Sequence, residues 1–337
     1  MKLFSILTTL VLFALLTHTT FAQGVDPVRF TITPKAPGPN EQVTIGIEGV
    51  GTFLGNSTIT WQNNGETALE GIGEHRYIFT TGSLGVPSRI GVTINSTQYG
   101  IISRNFTLVP SAVNLLWEAT TSVPPLYQGK ALYSAGSRVK IIAFPTIVAN
   151  GTTISPNNLS FQWQRNGEPV PSASGLGRDT FEFAGDQLRT NERVVVEVYL
   201  SGVLVGQTQI VIPASDPQLV LYPRDPLRGV LYNNALGNGI SLSSPEITIV
   251  AQPYFFSRES IGSSAVYSWK LNGQETTGPD TGRGLLTLRQ SGSGAGEATL
   301  GVSLQNTDTT KFVQAANTAL RIVFGQQNSA ESSLFGL

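Results

Sequence analysis

Trp61-Gln62-Asn63-Asn64-Gly65-Glu66 is the first of three copies of one hexapeptide, and this hexapeptide decides the fold of the chain. The other copies are Trp163-Gln164-Arg165-Asn166-Gly167-Glu168 and Trp269-Lys270-Leu271-Asn272-Gly273-Gln274, so the shared pattern is W-x-x-N-G-[EQ]. The three tryptophans stand 102 and 106 residues apart, and the protein has only one other tryptophan. Internal repetition of this kind predicts three copies of one structural unit.

Each tryptophan is surrounded by the same apolar segments, in which apolar and polar residues alternate. They are an upstream segment (43–47, 139–143, 247–251), a downstream segment (ending at 94, 198, 304) and a closing segment (106–108, 210–212, 320–324). Alternation with a period of two is typical of half-buried strands. The Asn-Gly pair favours a tight hairpin, because both residues tolerate a positive φ. After the first 22 residues, no segment shows an apolar period of 3.6 residues, so we expect an all-β fold.

Short strands, about 100 residues per unit and a tryptophan on a central strand resemble the immunoglobulin-like β-sandwich. In that family the tryptophan packs across a disulfide between the sheets, whereas this chain has aliphatic residues near those positions, Ile45 and Val92, and no cysteine. The resemblance implies three tandem immunoglobulin-like domains whose structural cores contain Trp61, Trp163 and Trp269. Cores without a disulfide must be held by packing alone.

The last two copies share a longer leading segment that the first copy lacks. Leu115-Leu116-Trp117 is followed by Pro125-Leu126 and Ala131-Leu132, just as Val220-Leu221-Tyr222 is followed by Pro226-Leu227 and Ala235-Leu236. In this longer form the chain resembles bacterial secreted tandem immunoglobulin-like repeat proteins of the surface or adhesion type. That resemblance implies no catalytic residues.

The first 22 residues are predicted to be a signal peptide. Lys2 provides a positive charge, residues 3–16 form an apolar run, and Thr20-Phe21-Ala22 places small residues before a cut after Ala22. The run is shorter than the ~20 residues that span a membrane. No later stretch approaches that length, so we expect no transmembrane segment after cleavage and a secreted or extracellular surface location.

The repeats also set the predicted domain boundaries. We expect a signal peptide at 1–22, immunoglobulin-like domains at 23–110, 111–213 and 214–325, and a flexible C-terminal tail at 326–337. The joints at Pro110 and Pro213 are short and contain proline, which predicts stiff connections. In the alternative reading of the tail, Leu334, Phe335 and Leu337 form a docking signal.

Composition excludes several classes of function. The charged residues amount to 13% and the net charge is −1, which argues against a nucleic-acid partner, since such binding requires a basic surface. Of the two histidines, His18 lies in the signal peptide and His75 in a polar turn, so Cys–His catalysis and zinc sites built from cysteine or several histidines are excluded. Glu66, Glu70 and Glu74 also lie in a predicted turn region and indicate surface charge. We therefore predict no enzyme, no cofactor and no metal ligand.

Tyr254-Phe255-Phe256 is the candidate ligand contact. Exposed aromatic rings could stack on sugars, whereas the alternative is that these rings line the sandwich edge. The first hypothesis is a non-catalytic secreted or cell-surface protein that acts as a stalk, spacer or adhesion module. The second is a glycan-binding module attached to cell wall or polysaccharide. Exposed aromatics on one face or loop end favour glycan binding, and buried aromatics favour a spacer.

Overall fold

The computed structural model describes residues 26–186, 190–242, 244–307 and 313–325. The predicted signal peptide and the predicted tail at 326–337 lie outside these residues. Within the described part, the regular secondary structure is mostly β-strand, with one α-helix of six residues, α1 (Arg258–Ser263), and four short 3₁₀ helices at Phe53–Asn56, Pro156–Asn158, Pro171–Ala173 and Thr281–Arg283. The all-β class predicted from the alternating apolar segments is therefore confirmed.

Every repeat is a series of strands joined by turns and by longer loops, such as residues 120–137 in the second repeat. In the first repeat (23–110) these are β1 (Val28–Thr33), β2 (Gln42–Gly49), β3 (Thr58–Asn63), β4 (Glu66–Ile72), β5 (Arg76–Thr80), β6 (Ser88–Ser96) and β7 (Gly100–Leu108). In the second (111–213) these are β8 (Ala112–Ala119), β9 (Arg138–Thr146), β10 (Val148–Ala149), β11 (Thr152–Thr153), β12 (Ser160–Arg165), β13 (Glu168–Pro169), β14 (Gly175–Leu176), β15 (Thr180–Ala184), β16 (Asn191–Leu200) and β17 (Val203–Pro213). In the third (214–325) these are β18 (Gln218–Asp225), β19 (Gly229–Val230), β20 (Gly239–Ser241), β21 (Glu246–Tyr254), β22 (Ala265–Leu271), β23 (Gln274–Glu275), β24 (Leu285–Arg289), β25 (Gly296–Asn306) and β26 (Ala315–Phe324).

Each repeat has two main sheets that share a strand order, to which the second repeat adds the pair β10-β11 and β14 beside β12, and the third repeat adds the edge strands β19 and β20. The sheets are β1-β2-β5 with β4-β3-β6-β7, then β8-β9-β15 with β13-β12-β16-β17, then β19-β18-β21-β24 with β20-β26-β25-β22-β23. The tryptophan strand is interior to the larger sheet in every copy. The strand after it pairs with it, rather than joining the opposite sheet as in a constant-type immunoglobulin domain. The sequence repeat is thus a repeat of one immunoglobulin-like sandwich.

The three tryptophans are buried, with exposed fractions of 0%, 1% and 2% for Trp61, Trp163 and Trp269. Each lies directly opposite a valine on the other neighbouring strand of its sheet, which is β6, β16 or β25. These valines are Val92, Val196 and Val302. The indole N–H groups donate to loop carbonyls at 2.8, 2.8 and 3.1 Å, and the acceptors are Glu74, Arg178 and Thr281. A buried indole needs such an acceptor, so the ring both fills the core and fixes the loop that crosses it.

The asparagine of the hexapeptide builds the hairpin in all three copies. Asn64 has a left-handed φ of 51°, and Gly65 follows with a φ of 91°. The Asn64 N–H donates to the Arg89 carbonyl at 2.7 Å, and the Asn64 Oδ1 accepts from the Arg89 N–H at 2.9 Å. Asn166 and Arg193, and Asn272 and Thr299, repeat both bonds. The motif therefore connects two strands through its backbone and its side chain.

The chain divides into two compact units. Among the described residues, the first unit contains 26–32 together with Thr44–Ile78 and Arg89–Phe106. The second contains Thr33–Val43, Phe79–Ser88 and the described residues from Thr107 to Gly325, so the second and third repeats belong to one unit. The domain boundaries at 110 and 213 stay predictions.

Candidate functional site

The predicted ligand stretch, Tyr254-Phe255-Phe256, lies at a joint between the second and third repeats. The Phe255 N–H donates to the Ser122 carbonyl at 2.7 Å, and the Ser122 N–H donates to the Phe256 carbonyl at 2.7 Å. Thr121 and Ser257 form an antiparallel bridge beside these bonds. A short rung of backbone pairing therefore connects two repeats inside the second compact unit.

The three aromatic side chains have different surroundings. Phe256 has no exposed surface and belongs to the core of the third repeat, together with Trp269. Phe255 is also buried, with an exposed fraction of 7%, and Tyr254 is half-buried. Phe255 also has a φ of 61°, a conformation that is rare for a bulky side chain and persists only where surrounding contacts impose it. The three rings are therefore mostly packed at the joint, and Tyr254 is the most exposed of them.

Gln314 is the second part of this joint. Its side chain is buried, and its Nε2 donates to the Ser134 Oγ at 2.9 Å and to the Ala135 carbonyl at 2.8 Å. Its Oε1 accepts from the Ser257 N–H at 2.8 Å. Gln314 and Ser257 belong to the third repeat, whereas Ser134 and Ala135 belong to the second. One amide side chain thus uses both its donor and its acceptor groups to hold two repeats together.

An ion pair lies at the rim of the joint. The Arg138 Nε donates to the Glu259 Oε1 at 2.7 Å, and both side chains are about half exposed. The Arg258 Nε donates to the Thr121 carbonyl at 3.1 Å. Exposed pairs contribute little stability, typically about 0–1 kcal/mol. The backbone rung and Gln314 therefore carry more of the joint than these charges do.

Tyr254 belongs to a group of tyrosines next to the joint. Its hydroxyl lies 2.6 Å from the Tyr222 hydroxyl, and its ring meets Tyr127 edge to face at 5.8 Å. The Tyr232 hydroxyl donates to the Gln252 Oε1 at 3.2 Å. Burial, followed by the hydrogen bond with Tyr222, raises the pKa of Tyr254 above its ordinary value. The Tyr254 hydroxyl is therefore neutral near pH 7 and acts as a hydrogen-bonding group in the packing.

Glu66 and Glu70 lie on strand β4 and not in the turn region predicted for them, whereas Glu74 and His75 lie in the loop that follows this strand. His75 is exposed, and its Nδ1 lies 2.7 Å from the Gly73 carbonyl, as in a solvated turn. Among the residues that the structure describes, no group of three or more His, Cys, Asp or Glu side chains is arranged to hold a metal ion. No helix in this part of the chain is long and apolar enough to cross a membrane.

Glu192 is a buried carboxylate that the sequence patterns did not reveal. It accepts from the Arg165 Nε and Nη2 at 2.9 and 2.7 Å, from the Asn166 Nδ2 at 2.7 Å and from the Asp186 N–H at 2.7 Å. The Tyr133 hydroxyl lies 3.3 Å from its Oε1. Burial by itself would raise the pKa of Glu192, but the bonds from Arg165, Asp186 and Asn166 hold that pKa below its ordinary value. A carboxylate with all its acceptor positions used has a structural role.

One apolar patch lies on the outer face of the sheet β8-β9-β15. Leu116 is 62% exposed and pairs across the sheet with Ile142, which lies two residues before the 47% exposed Phe144. Phe144 and Tyr127 are the exposed aromatics among the described residues of the second unit; Phe144 lies on β9, whereas Tyr127 lies in the loop between β8 and β9. A single ring next to two aliphatic side chains is less than a paired stacking platform.

No protein-family model matches the sequence, and no curated protein matches it. Among solved structures, the Clostridium thermocellum CbhA fibronectin(III)-like modules are 13% identical over 56% of this chain and 94% of that chain, with a TM-score of 0.26. The N-terminal domains of the bacteriophage RB49 Highly Immunogenic Outer Capsid protein are 11% identical over 88% and 98%, with a TM-score of 0.25. Bacteroides ovatus SGBP-B, in complex with a mixed-linkage heptasaccharide, is 9% identical over 89% and 70%, with a TM-score of 0.24. Similarities this weak carry no inference about function.

Proposed function

We propose that this chain is a non-catalytic, secreted or cell-surface protein that acts as a stalk, spacer or adhesion module. Three immunoglobulin-like domains, at 23–110, 111–213 and 214–325, form the working part of this proposal. The observation that carries it is the joint between the second and third repeats, where Gln314 and the Ser122–Phe256 rung place hydrogen bonds that a flexible linker would lack. A spacer needs defined connections between its domains.

Secretion is part of the proposal and has its own test. We expect export to remove residues 1–22, because the apolar run and the small residues before Ala22 match a cleavable signal. N-terminal sequencing of the exported protein should begin at Gln23. Exported protein that still begins at Met1 would contradict the proposed route to the surface.

The stiffness of the joint can be measured with spin labels. The chain has no cysteine, so two introduced cysteines carry the only labels. Gln162→Cys in β12 and Lys270→Cys in β22, both exposed, place one label in each repeat. Gln162→Cys with Thr180→Cys, both in the second repeat, gives the width due to the labels alone. We expect the distance distribution across the joint to be nearly as narrow as this reference. A much broader distribution would contradict a spacer.

Glycan binding is the second candidate, favoured by exposed Phe144 and its aliphatic neighbours. An exposed ring on a flat sheet face offers one stacking surface for a sugar. Affinity electrophoresis against soluble polysaccharides tests this function. Retardation that is lost in Phe144→Ala and retained in Tyr127→Ala would favour the glycan-binding module, whereas no retardation of the unaltered protein would favour the spacer.

A further inference from the structure

The third repeat has an open apolar pocket of about 240 Å³ at one end of its sandwich. The walls come from both sheets and from the segment before β21, and they include Leu242, Leu271, Leu288, Ala298, Ile322 and Phe324. Leu271, Leu288 and Phe324 point inward, yet they are only half-buried. Arg289 and Glu297 lie at the rim, and each is already paired, with Glu246 and with Arg321. Asn272, Gln290 and Ser291 complete the lining, so the pocket combines apolar walls with polar residues whose charges are already paired.

At the same end of the second repeat, Tyr133 and Glu192 are buried between the sheets, and the open pocket there is lined mainly by polar residues, among them Arg165, Asn166 and Asp186. Glu192 lies four residues before Val196, the partner of Trp163, and Ala298 lies four residues before Val302, the partner of Trp269. These two positions are therefore equivalent. By the same register, Arg165 corresponds to Leu271, since each lies two residues after its tryptophan. The ion pair of Arg165 and Glu192 in the second repeat is therefore replaced in the third by the apolar residues Leu271 and Ala298.

Tyr133, the ring buried at this end of the second repeat, also has no counterpart at the matching position of the third repeat. Tyr133 follows Ala131-Leu132, has no exposed surface and lies against Glu192. In the third repeat Gly237 follows the matching Ala235-Leu236. The third repeat therefore keeps the space between its sheets but lacks the aromatic side chain that fills it in the second. An end that exposes leucine and phenylalanine gains stability from any apolar group that covers it.

The size of the pocket limits what it can bind. Sites for drug-sized molecules enclose about 300–1,000 Å³. A volume of 240 Å³ suits one or two apolar side chains, with no charged group required by the rim. The chemical class of ligand is therefore an apolar peptide segment.

We propose that this pocket is a binding site for apolar side chains and that its occupant is the chain's own Leu334-Phe335. Phe324 lines the pocket and is the last residue of β26, so the chain leaves the sandwich at the site itself. About ten residues, most of them polar, separate Phe324 from Phe335, which is enough chain to return to its starting point. Phe335 then takes the place that Tyr133 holds in the second repeat.

Tethering favours the chain's own segment over a second copy. A short flexible connection gives the attached segment an effective concentration in the millimolar range. A separate molecule at micromolar concentration competes at a large disadvantage. We therefore commit to binding within one chain.

Disulfide trapping tests the proposal in the full-length protein. Ser291→Cys places a thiol at the rim of the pocket, and Ser333→Cys places one beside the proposed anchor. No other cysteine is present, so each cross-link is assigned directly by mass. We expect an intramolecular disulfide that forms about tenfold faster than in the same pair carrying Leu334→Ala and Phe335→Ala, because truncated anchors lose binding energy.

A second variant alters the pocket wall and leaves the proposed occupant unchanged. Ala298→Leu adds apolar volume to the wall and should slow the cross-link as the two alanines do, while Gly336→Ala should leave its rate unchanged. Equal rates with and without Leu334 and Phe335 would overturn the proposal, since mere proximity would then explain the cross-link. A disulfide mainly between two molecules would also overturn it, because the occupant would be a second copy. Neither result bears on the stiffness of the joint.

Discussion

Trp163 shows how one residue supports a whole repeat. Its ring lies 5.7 Å from the Phe181 ring, and its indole N–H donates to the Arg178 carbonyl at 2.8 Å. The sequence predicts its position on a central strand, because the hexapeptide recurs with the same neighbours. The partner of the indole could not be predicted, since Arg178 lies in a loop with no alternating pattern.

We expect Trp163→Ala to destabilise the second repeat by ~3–5 kcal/mol, since it removes a buried ring and leaves a cavity. Trp163→Phe keeps most of the apolar contact but leaves the Arg178 carbonyl without its donor, so ~1–3 kcal/mol is expected. Denaturant unfolding monitored by far-UV circular dichroism measures both. A stability equal to that of the unaltered protein for Trp163→Ala would show that the core does not depend on this ring.

Glu192 makes the second repeat sensitive to acid. Its pKa in the folded protein is below the ordinary 4.5, so ionised Glu192 contributes stability above about pH 4.5. This contribution is lost as the pH falls through the lowered folded pKa. Breaking a buried ion pair usually costs about 3–5 kcal/mol. Because the Arg165 side chain is 23% exposed and keeps part of its hydration, Glu192→Gln should reduce the free energy of unfolding at pH 7 by somewhat less, roughly 2–4 kcal/mol.

The pH dependence distinguishes this carboxylate from others. Stability measured from pH 7 to pH 2 should fall less steeply below pH 4.5 in Glu192→Gln than in the unaltered protein. Glu182→Gln is the matched control, because Glu182 is half exposed and pairs with Arg138 only at 3.5 Å. An unchanged acid profile in Glu192→Gln would contradict the assigned role.

At the scale of elements, the hairpins follow most directly from the sequence. Asn-Gly predicts two residues with positive φ, and Asn64 and Gly65 have φ values of 51° and 91°. The side-chain bond from Asn64 to the Arg89 backbone could not be predicted, because it depends on the register with β6. Local chemistry sets the turn, whereas the pairing of distant strands sets what the turn contacts.

We expect Asn64→Ala to destabilise the first repeat by ~1–3 kcal/mol, because alanine is strained at this φ and the bond from the Arg89 N–H loses its acceptor. Asn64→Gly should cost less, about 1 kcal/mol, because glycine adopts the same φ freely and only the side-chain bond is lost. Chemical denaturation of both variants gives the comparison. Equal losses would mean that backbone strain at this position is unimportant.

The joint is the element that sequence reasoning could not assemble. Tyr254-Phe255-Phe256 is visible as an aromatic run, but the same run fits exposed or packed rings. Whether these rings are exposed or packed depends on pairing with Ser122, more than 130 residues earlier, and on the left-handed φ of Phe255. Gln314 lies in no recognisable motif and contacts Ser134, 180 residues away.

At the scale of the whole molecule, the second and third repeats should unfold together, since they share one compact unit. Gln314→Glu should separate their transitions, because a carboxylate cannot donate to the Ser134 hydroxyl or the Ala135 carbonyl and is costly to bury. Gln314→Ala, which removes the bonds without adding charge, should have a smaller effect. Differential scanning calorimetry of both variants measures the separation. A single unchanged transition in Gln314→Glu would show that this side chain does not couple the repeats.

The hairpin asparagines have one further consequence, which concerns ageing of the protein. Asn-Gly is the dipeptide in which the glycine nitrogen most readily attacks the asparagine side chain, forming a succinimide that opens to aspartate or isoaspartate. Such asparagines are among the heat-sensitive residues of proteins. Here the Oδ1 of each one is held by a backbone N–H of the neighbouring strand, at 2.8–2.9 Å, which restrains the side-chain rotation that this reaction requires. The bonds that shape the turns thereby also protect the protein against slow chemical decay.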